Sequence, residues 1–223
     1  MSARIAGLTL IVAVALSARV GAQDASFARR GDTALGIERL LGVTWTHART
    51  SNGGSSESEN VVSITRVTSP VSALLSTYSY PRLGLDYFFA DAVSVGIAAG
   101  YAQTTGSKSS SSSSSSDLAS FHSLLLAPRF GYAHALDPLL ALWPRIGATY
   151  AHVWRSGLGG SATLDQLALT LEVILLIKPF SHVCLSVGPA LDLGLAGSSS
   201  NGSRTADTKT TEIGLQTALL VDF

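Results

Sequence analysis

Nine charged residues of this chain fall on the polar side of segments that alternate in hydrophobicity. Glu38, Asp86, Glu172, Asp192 and Glu212 are acidic, and Arg82, Arg129, Arg145 and Arg155 are basic. Charges of both signs on one inward face can pair into a network that fills a polar interior. They can equally line a narrow ion path or a small-ligand cleft, because both uses need the same side chains. Hydrolysis would need a nucleophile, a base in reach and a group to orient the base. The candidate bases are His47, His122, His134, His152 and His182. Along an extended strand adjacent residues point to opposite faces, so His122 and Ser123 cannot meet. Alternation puts His47, His122, His134 and His152 with the apolar residues near segment ends, and a His-x-Ser spacing is absent. No enzyme activity, metal site or cofactor is therefore expected. Cys184 is the only cysteine and forms no intramolecular disulfide.

The elements that must position these charges have period two. Leu35, Ile37, Leu41, Val43 and Trp45 share one face in the first segment. Leu83, Leu85, Tyr87 and Phe89 do so in the second, and Val93, Val95, Ile97 and Tyr101 in the third. Leu124, Leu126, Phe130 and Tyr132 mark the fourth, and Ile146, Ala148, Tyr150 and Trp154 the fifth. The sixth carries Leu167 through Ile177, the seventh Val183 through Leu195, and the last Thr211 through Phe223. Glycine recurs on the opposite faces, which disfavours helix. Pro128 and Pro189 lie inside segments, and each predicts a bulge or a locally missing ladder bond.

Spacers alternate between short and long. Short ones lie at Ala90-Asp91-Ala92, Asp137-Pro138 and Pro179-Phe180-Ser181. Long ones cover residues 50–79, 106–117, 157–165 and 197–209. The Ser109–Ser116 run is low in complexity and reads as unstructured. Asn201-Gly202-Ser203 reads as solvated loop. Val61 to Val67 also alternates, and is expected to extend the first hairpin above the membrane.

Composition points the same way. Charged residues make up 13% of the chain, against about a quarter in soluble domains. Mean hydropathy is +0.33. Yet after residue 22 no apolar run reaches the roughly 20 residues of a membrane helix. Residues 1–22 have a positive start, an apolar run from Ile5 to Leu16 and a small-residue end at Val20-Gly21-Ala22, the layout of a secretory signal peptide. Residues 23–223 then suffice for one domain. The formal net charge of zero gives no electrostatic case for nucleic acid.

Apolar faces over small and polar ones, alternating loop lengths, the leader and the aromatic end of the last segment together resemble the small outer-membrane barrels of the OmpA/OmpX type. The resemblance implies an all-β fold, an eight-stranded antiparallel up-and-down transmembrane β-barrel in the outer membrane. It implies a monomer in contact with outer-membrane lipids, with Leu219, Val221 and Phe223 presented to the barrel assembly machinery. Val221 stands where many such barrels carry an aromatic. The expected function is a structural or surface-interaction role around a closed polar lumen, with the surface partner unknown. A narrow channel or small-ligand binder is the first alternative, and a lipid-modifying enzyme the second. In this arrangement Arg39 faces outward near the periplasmic end, where it snorkels. Most aromatics, Tyr78, Tyr80 and Trp143 among them, are expected in interfacial girdles. A secreted lipocalin-like barrel would reverse the pattern, burying the apolar face.

Overall fold

The computed structural model describes residues 27–52, 55–66, 77–104, 107–110, 113–117, 120–156, 161–202 and 204–223. The proposed leader, residues 1–22, lies outside them. Among these described residues thirteen strands form: β1 (Thr33–Glu38), β2 (Leu41–Asn52), β3 (Ser55–Arg66), β4 (Arg82–Ala90), β5 (Val93–Thr104), β6 (Ser107–Ser110), β7 (Ser113–Asp117), β8 (Ser120–Tyr132), β9 (His134–Asp137), β10 (Leu140–Ser156), β11 (Ala162–Phe180), β12 (Val183–Asn201) and β13 (Arg204–Asp222). All pairings are antiparallel.

The large sheet runs β1-β4-β5-β8-β10-β11-β12-β13, and β1 also pairs with β13, which closes a ring of eight staves. Closure matters physically, because a strand edge in hydrocarbon leaves backbone polar groups unsatisfied. Three staves are interrupted. The first consists of β1 and β2, and β13 pairs with both. Ala133 separates β8 from β9. In the second, Arg66 at the foot of β3 faces Leu41, and Arg82 at the head of β4 faces Glu38. β3 and β4 are thus two halves of one stave, with residues 67–81 inserted between them. Among the described residues β3 pairs only with β2.

The sheet is inside-out relative to a soluble protein. Phe130 is 57% exposed, Leu215 54% and Ile146 52%, while Arg82, Asp86, Glu172 and Glu212 are buried. A lipocalin-like barrel would show the opposite. The apolar residues therefore form a belt, and the charges form the interior.

Several expectations change. Val61–Arg66 does not rise above the membrane. Val62 and Ile64 pair with Trp45 and Val43 and are exposed beside them, at the level of the belt. The insertion splits the stave's pattern, so its outer half reads as a loop; Val67 lies outside the described residues. The described parts of the long spacers 157–165 and 197–209 are largely strand: β11 begins at Ala162, β12 runs to Asn201 and β13 resumes at Arg204. Cross-strand pairing continues past the belt because Ser and Thr fit a ladder as well as a loop. The serine run is also paired, as a β6–β7 hairpin with Ser107 facing Asp117. Its two arms start side by side because Thr104 faces Phe121.

The two prolines behave alike. Pro128 keeps its place opposite Ile97, and Pro189 opposite Leu215. On the other side each interrupts its ladder without shifting register. Pairing with β10 resumes from Gly147–Arg129 to Tyr150–Leu126, and pairing with β11 from Glu172–Ala190 to Leu175–Val187. The missing N–H is thus absorbed as locally missing pairs rather than as a bulge.

Candidate functional site

The lumen is filled in three layers. At the end with the short turns, Phe27 packs edge-on against Phe88 and Trp143, at centroid distances of 5.3 and 5.6 Å. Ile174, Leu176, Cys184 and Leu220 complete this apolar plug. Lys178 Nζ donates to Asp222 Oδ2 at 2.6 Å beside it. Arg145 lies over the Trp143 ring at 4.9 Å, where the plug meets the charges.

The middle layer is an ion network. Glu38 accepts from three guanidinium groups: Arg82 Nε at 3.0 Å, Arg129 Nη1 at 2.7 Å and Arg145 Nη1 at 2.7 Å. Arg129 also grips Asp86, through Nε at 2.9 Å and through Nη2. Glu172 accepts from Arg82 Nη2 at 2.6 Å, Arg39 Nη2 at 3.3 Å and Gln216 Nε2 at 3.0 Å, and pairs with Arg145 Nη2 at 2.6 Å. Arg39 Nη1 reaches Asp192 Oδ2 at 2.8 Å, and Thr170 Oγ1 donates to Asp192 Oδ1 at 2.6 Å. Each charge has an ion-pair partner and at least one hydrogen bond, which offsets its burial, while Arg39 Nε, Arg82 Nη1 and Arg145 Nε are buried without an acceptor among the described residues. Glycines make the room. A Cβ on Gly96 would lie 2.0 Å from Asp86 Oδ1, and one on Gly84 would lie 2.7 Å from Arg129 Nη2.

The outer layer is the end of the 67–81 insertion. Glu212 accepts from the backbone N–H groups of Thr77 at 2.8 Å and Tyr78 at 3.3 Å, and from Ser79 Oγ at 2.8 Å. Arg39 Nη1 donates to the Tyr78 carbonyl at 2.7 Å. The Tyr78 hydroxyl donates to Gln166 Oε1 at 2.9 Å, and Ser123 Oγ donates to the Tyr80 hydroxyl at 3.0 Å. Both rings are buried against Ala98, Leu125, Ala127, Ala151 and Ala168.

Of the nine charges picked out by alternation, eight point into this lumen. Arg155 does not: it is exposed, with its guanidinium 5.3 Å from the Phe121 ring. Alternation assigns it the inward side, but β10 has already passed the filled lumen at that height. Arg39 is the reverse case. It is 3% exposed and sits inside, not at the lipid face. Between Ile37 opposite Leu219 and Gly42 opposite Gln216, the first stave holds two more residues than β13. That bulge, with Arg39 at φ 54°, turns its side chain inward. Tyr78, Tyr80 and Trp143, expected in the girdles, are lumen residues. Gln166, Gln216, Lys178 and Asp222 share the inward parity of the charges, and that parity was the available signal for them.

No protein-family model matches the sequence, and no curated protein does. Solved structures do. The outer membrane protein OprG from Pseudomonas aeruginosa is similar with 14% identity over 88% of this chain and 97% of that chain, at a TM-score of 0.51. This chain has the fold of an outer-membrane β-barrel. The outer membrane protein AlkL, studied in lipid bilayers, aligns at 16% identity over 92% of this chain and 95% of its own, with a TM-score of 0.48. Neisserial surface protein A aligns at 12% identity over 87% of this chain and 100% of its own, with a TM-score of 0.44. At such identities the likeness is one of fold, and the belt of exposed apolar side chains gives it its physical meaning.

The barrel's outer girdle carries His122 and His152. His122 stacks on Trp154 at 5.1 Å and bonds the Tyr101 hydroxyl at 3.0 Å. His152 contacts the same indole at 5.3 Å. Above the belt, Asp165 Oδ1 accepts from the Tyr150 hydroxyl at 2.5 Å and meets His152 Nδ1 at 2.7 Å. Those two hydrogen bonds, Tyr150 first, hold the Asp165 carboxyl below its ordinary range. Amphipathic rings at this height suit the headgroup layer. Among the described residues no group of three or more His, Cys, Asp or Glu could hold a metal ion.

Proposed function

We propose that the barrel is a closed structural or surface-interaction protein and that its lumen is a plug rather than a path. The observation that carries this reading is the continuity of the filling. The aromatic plug at Trp143 touches Arg145, Arg145 touches Glu38 and Glu172, Arg39 links Glu172 to the Tyr78 carbonyl, and the tyrosines occupy the outer half. An eight-stranded barrel is just wide enough to be filled by side chains. β10 to β13 continue past the belt as paired strands, a rigid surface for contacts outside the membrane. Liposome swelling tests the proposal: vesicles carrying the folded barrel should admit arabinose no faster than empty vesicles. Swelling that rises with protein content would favour a channel.

Residues 1–22 serve in this reading as a cleaved leader, so sequencing of the mature protein should start at Gln23. Leu219, Val221 and Phe223 are read by the assembly machinery. Phe223 is 65% exposed, and its backbone exchanges hydrogen bonds with Thr33 at 2.8 and 3.0 Å. The side chain is therefore free for recognition while the main chain closes the ring. Phe223→Ala should lower the folded fraction in the outer membrane and leave refolding into pure lipid unchanged. Equal loss in both settings would make Phe223 a packing residue instead.

A further inference from the structure

The geometry points to a docking site on the barrel wall for a phosphate-bearing outer-leaflet lipid, built on Arg49 and Lys209. These two residues face each other directly across β2 and β13. Both side chains are exposed, and among the described residues neither makes an ion pair or hydrogen bond. They belong to the outward face, because Trp45, Ile213 and Leu215 of the same parity are exposed in the belt. The next pair down is His47 with Thr211, and the next is Trp45 with Ile213. Trp45 stacks on His47 at 5.9 Å, so the two cations stand one outward step above His47 and two above the girdle residue Trp45. This is the height of lipid headgroup phosphates.

Like charges directly opposite on neighbouring strands destabilise a sheet. Nothing nearby relieves them in the described structure. Asp207 lies one outward step further along β13, opposite Ser51, and bridges neither cation. Glu57 and Glu59 pair with Thr50 and Ala48, so they belong to the other face of the sheet from Arg49. A phosphate between the two cations would convert the repulsion into two charge-assisted hydrogen bonds. His47, whose Nδ1 bonds Asn60 Oδ1 at 3.0 Å, and the Trp45 ring then bracket the lipid just below its phosphate.

Trp45 supplies the readout. In a Trp154→Phe background it is the lipid-facing indole, since Trp143 is buried in the lumen. The folded protein is placed in phosphatidylcholine vesicles doped with brominated phosphatidic acid or brominated phosphatidylcholine. Quenching of Trp45 should favour the brominated anionic lipid by roughly five-fold for each cation. The preference should fall to parity in Arg49→Gln/Lys209→Gln and persist in Arg49→Lys and in Arg204→Gln at the hairpin tip. Heat-modifiable migration establishes folding of each variant, and Lys209→Gln alone serves if the double variant does not fold. Added inorganic phosphate should leave the preference in place. Equal quenching by both lipids in the parent, or an undiminished preference in the glutamine variants, overturns the site. Loss of the preference on adding inorganic phosphate would assign the pair to a soluble anion and overturn lipid docking.

Discussion

Glu172→Ala should destabilise the folded barrel by about 3–5 kcal/mol, the cost of leaving buried charges without their partner. The carboxylate contacts Arg39, Arg82 and Arg145. Its removal leaves three guanidinium groups short of an acceptor in a space that water does not freely enter. Asp207→Ala, on the exposed extension of β13, should change stability by no more than about 0.5 kcal/mol. Urea unfolding in lipid vesicles compares the two. Glu172→Gln should lie close to Glu172→Ala, because the charge and not the volume is what the arginines need. A loss of under about 1 kcal/mol for Glu172→Ala would mean that water or rearranged neighbours satisfy the network.

Arg39→Ala should cost a similar amount, again about 3–5 kcal/mol. A snorkelling arginine at the lipid boundary would contribute almost nothing, so this substitution separates the two placements sharply. The lumen position also predicts coupling. Arg39 and Asp192 are 2.8 Å apart. Arg39→Ala in an Asp192→Ala background should therefore cost less than it does alone, by about 1 kcal/mol or more. Additive losses would show that the two side chains do not depend on each other.

Arg39 also marks the limit of what alternation can reveal. Period two assigns a face as long as the ladder is regular. Period two puts Glu38, Asp86, Glu172, Asp192 and Glu212 on the same side as Arg82, Arg129 and Arg145, and in the structure all eight are buried in the lumen, where Glu38, Asp86 and Glu172 pair with these arginines. It assigned Arg39 to the lipid because nothing in the local sequence announces the two-residue bulge between β1 and β2. Arg155 fails for a different reason. Parity gives the face of a strand but not the height at which the lumen ends. The tyrosine layer could not be read from period two, since Tyr78 and Tyr80 lie on no strand. Their place follows from tertiary hydrogen bonds to Glu212, Gln166 and Ser123. The same insertion hid β3, whose pairing partner β2 is adjacent in sequence but whose continuation, β4, is not.

The central claim is that three layers of side chains seal the bore. Planar-bilayer recording of the reconstituted wild-type protein tests it most directly. The account predicts no steady conductance at low voltage. A stable open channel under those conditions, in protein whose heat-modifiable migration shows that it is folded, would contradict it.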